Sequence, residues 1–102
     1  MERVEALRKL AAAKPQDAFV HYALAMALAG AGQFTEAVGE FQQTLALDAN
    51  YSVAYFQMGQ ALEKLGRQEE ARQSYRRGID VTSRLGHAHA REQLESALEL
   101  LG

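Results

Sequence analysis

The chain has 102 residues, of which 13 are acidic and 11 are basic, so its net charge is −2. This length suits one domain with a modest core, and the balanced charge argues against a nucleic-acid binder, which usually carries a basic excess. The chain has no cysteine, which excludes disulfides and thiolate metal sites. Its first residues lack the apolar run of a signal peptide and no stretch approaches transmembrane length, so we expect a cytoplasmic protein that does not bind a membrane.

The composition favours helices along the whole chain. Ala, Leu, Glu, Gln and Arg are abundant, whereas the chain has one proline and no clusters of β-branched residues. Apolar side chains recur at helical spacing in six segments that are separated by a few residues. The sequence therefore predicts an all-α protein of six antiparallel helices, which cover approximately residues 2–13, 17–30, 34–47, 51–64, 68–84 and 87–101.

Particular residues mark the ends of these helices. Pro15 stops the first one, because proline disfavours the helical conformation in the residue before it. Asp17 and Ser52 are predicted N-caps of the second and fourth helices, since their side-chain oxygens can accept from free backbone N–H groups. Gly32 and Gly66 follow the second and fourth helices, where glycine readily takes the left-handed conformation, and both are expected to have positive φ.

The middle four helices repeat with a period of 34 residues. Small residues recur where two helices must approach closely, and large ones recur where the space between helices must be filled. The first helix matches the second half of a period, and the last helix is shifted by one residue from the frame. The shift of 34 places Leu24 on Met58, Ala25 on Gly59, Leu28 on Leu62, Ala37 on Ala71 and Phe41 on Tyr75.

These residues resemble the tetratricopeptide repeat, whose signature is W-x2-L-G-x2-Y, then A-x3-F, then P. The second period reads Tyr55-x2-Met58-Gly59-x2-Leu62 and Ala71-x3-Tyr75, and the first reads His21-x2-Leu24-Ala25-x2-Leu28 and Ala37-x3-Phe41. The resemblance implies a single domain, residues 1–102, folded as a helical-repeat superhelix, or α-solenoid. Its parts are a leading half repeat over 1–17, repeats over 18–51 and 52–85, and a C-terminal capping helix over 86–102.

Neither catalysis nor metal binding is expected. His87 and His89 are two residues apart and therefore point in different directions on a helix, and no set of carboxylates and histidines is spaced for metal ligation. We interpret these two residues and His21 as surface or core-edge histidines. The aspartates lie at or near helix ends, where capping or solvation explains them. We expect no catalytic residue, no cofactor and no metal.

The resemblance also implies where a partner would bind. In this family the first helix of each repeat lines the concave side of the superhelix, and peptides usually lie there. Tyr22 and Phe56 are expected to stack side by side on the floor of such a groove. One subclass grips a C-terminal carboxylate with Lys and Asn, and we reject that mode because Tyr22 and Met26 stand at those places. The expected groove residues are Phe19, Tyr22, Met26, Val53, Phe56, Gln57, Gln60, Glu63 and Arg91.

The predicted function is therefore a non-enzymatic scaffold that binds a protein or peptide in an apolar, aromatic groove. Two alternatives stay open. A flanking helix could fold over the groove and make it core. The chain could instead self-associate weakly as a homo-oligomer, because Val4, Leu7 and Leu10 of the first helix lack the partner helix of a complete repeat.

Overall fold

The computed structural model describes residues 2–102, and this part of the chain forms six α-helices. The six predicted helices are confirmed, and no observed bound differs from the predicted one by more than one residue. Within the described residues, no helix is both long and apolar enough to cross a membrane. The helices are α1 Glu2–Ala13, α2 Ala18–Gly30, α3 Phe34–Leu47, α4 Ser52–Lys64, α5 Gln68–Leu85 and α6 Ala88–Leu101.

The helices stack in two layers. Each helix packs against the next one along the chain, most closely in the pairs α2 with α3 and α4 with α5. In addition, α4 contacts both α2 and α6, so these three helices lie side by side in one layer. In the described part of the chain the backbones of α3 and α5 lie further apart, with no Cα atom of one within 8 Å of a Cα atom of the other. The stack therefore curves, with α2, α4 and α6 on its inner face.

The core lies between the layers, at the positions that the repeat singled out. Leu28, Phe41 and Tyr75 are fully buried. The small residues beside them leave no spare room, because a Cβ added to Gly59 would overlap three atoms of the Tyr75 ring. A Cβ on Gly78 would likewise stand 2.8 Å from Tyr55 Cβ, closer than side-chain carbons approach each other. The helices of the second period are thus as close as their backbones allow.

Glycines end three of the helices in the same way. Gly32 and Gly66 have φ of 77° and 75°, which confirms the predicted left-handed turns. Gly86 has φ of 72° and ends α5, although its place is not one period after Gly66. In each turn the residue after the glycine donates its backbone N–H to the carbonyl oxygen five residues back, as His87 does to Thr82 O over 2.9 Å. This pattern satisfies carbonyl groups that a helix end would otherwise leave unpaired.

The last helix is out of the repeat frame by two residues, so the expected shift of one is wrong. The helix α5 has 18 residues and α3 has 14, which adds one turn before Gly86. The extra turn adds four residues, and the connection after it is two residues shorter than the one between α3 and α4. The packed residues of α6 therefore stand 36 residues after their counterparts in α4. Leu94 and Ala97 are buried and Leu98 is half-buried, and they follow Met58, Ala61 and Leu62 in this frame.

One predicted N-cap is confirmed and one is wrong. Asp17 caps α2, since its Oδ1 accepts from Val20 N over 3.3 Å. Ser52 does not cap α4 but is its first residue, and Tyr51 precedes the helix without a side-chain cap bond. The turn before α4 is held instead by backbone bonds, among them Tyr51 N to Asp48 O over 3.1 Å.

His21 and Tyr55 occupy equivalent places in the two periods, and both side chains reach back six residues to a carbonyl oxygen. The Tyr55 hydroxyl donates to Ala49 O over 2.8 Å, and His21 Nε2 donates to Pro15 O over 2.9 Å. His21 Nδ1 also lies 2.7 Å from Glu40 Oε1. Because both ring nitrogens face oxygen acceptors, only the doubly protonated imidazolium donates to both.

The surroundings of His21 favour this charged form. Burial lowers its pKa, but the hydrogen bonds to Glu40 and to Pro15 O outweigh burial, together with the negative charges of Glu40 and Asp17. The pKa of His21 is therefore raised above its ordinary value of 6.5. The unfolded chain lacks these partners. The resulting stabilisation is fully present below the unfolded pKa and is lost as the pH rises through the raised pKa of the folded state.

The contact between Gly59 and Tyr75 can be tested by adding one methyl group. We expect Gly59→Ala to lower the free energy of unfolding by about 1–3 kcal/mol, because the buried Tyr75 ring would have to shift. The matched control is Gly39→Ala, since Gly39 is exposed within α3 and an added Cβ meets nothing within 4 Å. That change should raise the free energy of unfolding by up to about 1 kcal/mol. Urea unfolding followed by circular dichroism measures both, and equal stability of the two variants would contradict the packing described.

The charged state of His21 predicts a pH-dependent loss of stability. We expect Glu40→Gln to cost about 1 kcal/mol near pH 6, because a charge-assisted hydrogen bond becomes a neutral one. The cost should shrink at higher pH, where His21 of the parent chain loses its proton. Urea unfolding at several pH values between about 5 and about 9 measures the difference. His87→Gln is the control, since His87 is exposed and the substitution should cost less than about 0.5 kcal/mol near pH 6. Parallel profiles for the parent chain and Glu40→Gln would show that His21 is not charged.

Candidate partner-binding groove

An open groove of about 910 Å³ lies between α4 and α6. Its sides are formed by helices of the inner layer, and Gln68 at the start of α5 contributes to one end. The α4 side presents Phe56, Gln60 and Glu63. The α6 side presents polar residues along most of its length and apolar residues near its C-terminus, namely His89, Glu92, Gln93, Ser96, Ala97, Leu100 and Leu101. The helix α6 thus forms a wall of the groove and does not cover it.

The predicted groove residues divide into three groups. Of the nine, the structure brings Phe56, Gln60 and Glu63 together as lining of the groove. Phe19 and Val53 lie in the first turns of α2 and α4, where their side chains are 65% and 49% exposed. These two residues are one period apart, so they present the same kind of apolar surface on neighbouring helices.

The remaining residues contribute less directly. Tyr22, Met26 and Gln57 are half-buried. Met26 lines a second, smaller cavity of about 400 Å³ beside α1, with Arg3 at its edge. Arg91 is not part of the groove lining, and its Nε lies 3.8 Å from Oε1 of Glu95, one turn further along α6.

The aromatic rings of the inner layer pack against rings of the outer layer and of the turn before α4. The Tyr22 ring lies 5.9 Å from Phe41 and 5.1 Å from Tyr51, and the Phe56 ring lies 6.2 Å from Tyr75. The expected stack of Tyr22 on Phe56 is therefore wrong among the described residues. Each ring turns inward because a buried aromatic in the following helix offers it a larger apolar contact than a neighbour on the open groove.

A hydrogen-bond network fixes the polar part of the α4 side. The Tyr75 hydroxyl donates to Glu63 Oε2, and Gln60 Nε2 donates to the Tyr75 oxygen over 2.7 Å. Burial raises the pKa of Tyr75, and the hydrogen bond to Glu63 raises it further, together with the charge of that carboxylate. The hydroxyl is therefore a neutral donor, and it holds the Glu63 carboxylate at the edge of the groove.

All seven residues of α6 that line the groove escaped the sequence analysis, four of them polar and three apolar. His89, Glu92, Gln93 and Ser96 line the groove, whereas the sequence analysis placed Arg91 there. The signal that could have identified them is the apolar stripe of α6, because Leu94 and Leu98 are the counterparts of Met58 and Leu62 only in a frame shifted by two residues.

A family model described as tetratricopeptide repeat matches residues 1–85. Among characterised proteins, the small glutamine-rich tetratricopeptide repeat-containing protein 2 of Mycosarcoma maydis is 29% identical over 99 residues. The match covers 92% of this chain and 28% of that protein. This chain therefore spans little more than a quarter of the length of that relative.

Solved structures show the same architecture. MamA AMB-1 is 31% identical over 76% of this chain and 46% of that chain, with a TM-score of 0.73. A tetratricopeptide repeat domain protein of Salinibacter ruber is 27% identical over 83% of this chain and 94% of that chain, with a TM-score of 0.77. A Bordetella parapertussis protein is 26% identical over 96% of this chain and 85% of its own, with a TM-score of 0.82.

Proposed function

Because this chain belongs to the tetratricopeptide repeat family, whose folds act as protein-interaction scaffolds, we propose that it is a non-enzymatic adaptor. In this proposal a peptide segment of a partner protein lies across α2, α4 and α6. The chain acts as a single domain, with repeats at 18–51 and 52–85 between a leading half repeat and the capping helix. It works in the cytoplasm and binds neither nucleic acid nor a membrane.

The exposure of large apolar side chains along the inner face carries the proposal. Phe19 is 65% exposed, Val53 is 49% exposed and Leu100 is 89% exposed. The inner layer would gain apolar burial if a segment covered these residues. An open groove with apolar walls and a few convergent polar groups is the usual form of a binding site.

The side chains of the inner face have different roles in this proposal. Phe19, Val53 and Phe56 are the apolar anchors, and Tyr22 and Met26 form the floor that supports them. Gln57, Gln60 and Glu63 supply hydrogen bonds that orient the bound backbone. On the α6 side, the polar residues that line the groove take the partner-binding role that the sequence analysis assigned to Arg91.

Adaptor function requires no cofactor, and the polar groups of the groove suit recognition better than catalysis. Glutamines and carboxylates predominate there, and the buried Tyr75 hydroxyl is held in a hydrogen bond to Glu63. Within residues 2–102, no group of three or more histidines and carboxylates is arranged to hold a metal ion. His89, Glu92 and Ser96 do line the groove, but no hydrogen bond joins any two of them within residues 2–102, whereas nucleophilic catalysis needs a base within hydrogen-bond reach of its nucleophile.

Self-association is the alternative function, and the terminal helices supply the observation that favours it. Leu10 of α1 is 39% exposed and Leu100 of α6 is 89% exposed. The exposed apolar stripe expected on α1 is only partly present, because Val4 is buried and Leu7 is half-buried. A second copy of the chain could cover these leucines.

Peptide binding can be separated from folding with two double variants. Peptides selected from a random 12-residue phage-displayed library against the intact chain serve as probes. We expect Phe19→Ala with Leu100→Ala to change the free energy of unfolding by less than about 1 kcal/mol, since both side chains are exposed. The same variant should weaken peptide binding about tenfold or more, measured by fluorescence anisotropy.

The matched control for this experiment replaces exposed leucines outside the groove. Leu10→Ala with Leu85→Ala removes side chains that are 39% and 38% exposed, and peptide affinity should not change. The adaptor proposal fails if the library yields no binder. It also fails if the control variant weakens binding as much as the groove variant does.

Light scattering over a concentration series tests the alternative. We expect a monomer mass from about 10 μM to about 1 mM, because isolated exposed leucines bury too little area for a stable dimer. A mass that rises toward a dimer, and returns to the monomer value in Leu10→Ala or Leu100→Ala, would replace the adaptor by a self-associating module.

A further inference from the structure

We infer that the groove binds a basic and apolar segment, with lysine or arginine side chains over α4 and α6 and apolar side chains over α2. The inference rests on the proposed adaptor function and names the chemistry of its partner. It is carried by the distribution of charge along the inner face.

Two carboxylates stand in the groove without a cation of the chain beside them. Glu63 and Glu92 line the groove, and the described lining contains no lysine or arginine. Within residues 2–102, no basic nitrogen lies within 4.0 Å of either carboxylate. Two like charges across one groove attract a cationic side chain more strongly than either would alone.

Three carboxylates outside the groove lining pair with arginines of the chain itself. On α5, Glu70 accepts from Arg67 over 2.7 Å, and Glu69 accepts from Arg72 over 3.2 Å. On α6, Glu95 faces Arg91. Arg67, Arg72 and Arg91 are thus paired outside the groove lining. The negative charge that remains in the lining is that of Glu63 and Glu92.

The Glu63 carboxylate is already oriented for a ligand. Both of its hydrogen-bond partners, the Tyr75 hydroxyl and the Gln60 amide, are neutral donors to Oε2. Oε1 has no hydrogen-bond partner among the described residues. A carboxylate fixed in this way loses little side-chain freedom when a guanidinium or ammonium group binds it, which favours affinity.

At the opposite end of the inner face the side chains of α2 are uncharged, although Arg3 of α1 lies at the edge of the cavity beside Met26. Phe19, Tyr22 and Met26 are the inner-face residues of α2, and none of them carries a charge. Neighbouring helices lie about 8–10 Å apart, so the path from α2 to α6 is about 20 Å long. About six extended residues span that distance at about 3.3 Å per residue. A short segment can therefore place an apolar side chain over α2 and a basic one between α4 and α6.

A pair of phage-displayed libraries tests this chemistry against the intact chain. One library contains all amino acids, and the other has glutamine in place of every lysine and arginine. We expect groove-dependent peptides, which lose binding to Phe19→Ala with Leu100→Ala, to come from the first library and to contain arginine or lysine. Recovery of equally tight groove-dependent peptides from the second library would overturn the inference and leave the adaptor function intact. Failure of both libraries would instead count against the adaptor function.

Charge coupling is measured with the selected peptides. We expect Glu63→Gln and Glu92→Gln each to weaken binding about threefold to tenfold, whereas Glu5→Gln on the exposed face of α1 changes the net charge equally and leaves affinity unchanged. Replacing the arginine of the peptide by citrulline, which has a similar shape without the charge, should cause the same loss. In the double variant Glu63→Gln with Glu92→Gln, the citrulline peptide should bind as well as the arginine peptide, because the change in the protein and the change in the peptide remove the same interaction. Additive effects would show that the peptide charge is not read by these carboxylates.

Discussion

The absence of a side chain at Gly59 is the constraint on which the second period depends. It lets the Tyr75 ring lie directly against the backbone of α4, and this position brings the Tyr75 hydroxyl to the groove, where it binds Glu63. In the first period Ala25 and Phe41 occupy the equivalent positions and are both buried, and Phe41 has no hydroxyl. A packing requirement between two helices therefore decides which end of the inner face is polar. The oxygen of Tyr75 links the buried core to the chemistry of the groove.

The first position of the repeat signature, which His21 and Tyr55 occupy, shows how two different residues can have the same structural role. Tyr55 and His21 both connect the first helix of a period to a carbonyl oxygen six residues earlier, so both hold the preceding turn against the helix. Histidine adds a second bond, to Glu40 of α3, which tyrosine cannot make because it has one polar atom. The first period thereby gains a charged link between its two helices, at the cost of a dependence on pH.

Much of the fold could be predicted from the sequence, because helix length and helix spacing leave a periodic trace. Buried residues such as Leu28 and Leu62, and the left-handed glycines Gly32 and Gly66, recur every 34 residues since both kinds of position admit few residue types. The predictions that failed concern features that the period does not constrain. An extra turn in α5 moves every side chain of α6 around its axis, and the ring contacts of Tyr22 depend on which neighbour offers more apolar area. For this reason the α4 side of the groove could be predicted and the α6 side could not.

In the proposed adaptor, the residues that select a partner are those that helix packing does not require. Phe19, Val53 and Leu100 are exposed, and Glu92 makes no ion pair within residues 2–102, so none of them is required by helix packing. A residue that the fold does not constrain can vary between members of a repeat family without loss of stability. Membership of the family therefore accounts for the curved stack of helices, and in the proposed adaptor it leaves specificity to the side chains of the inner face. In this chain those side chains change from apolar on α2 to acidic on α4 and α6, and this gradient would give the proposed peptide segment a direction as well as a site.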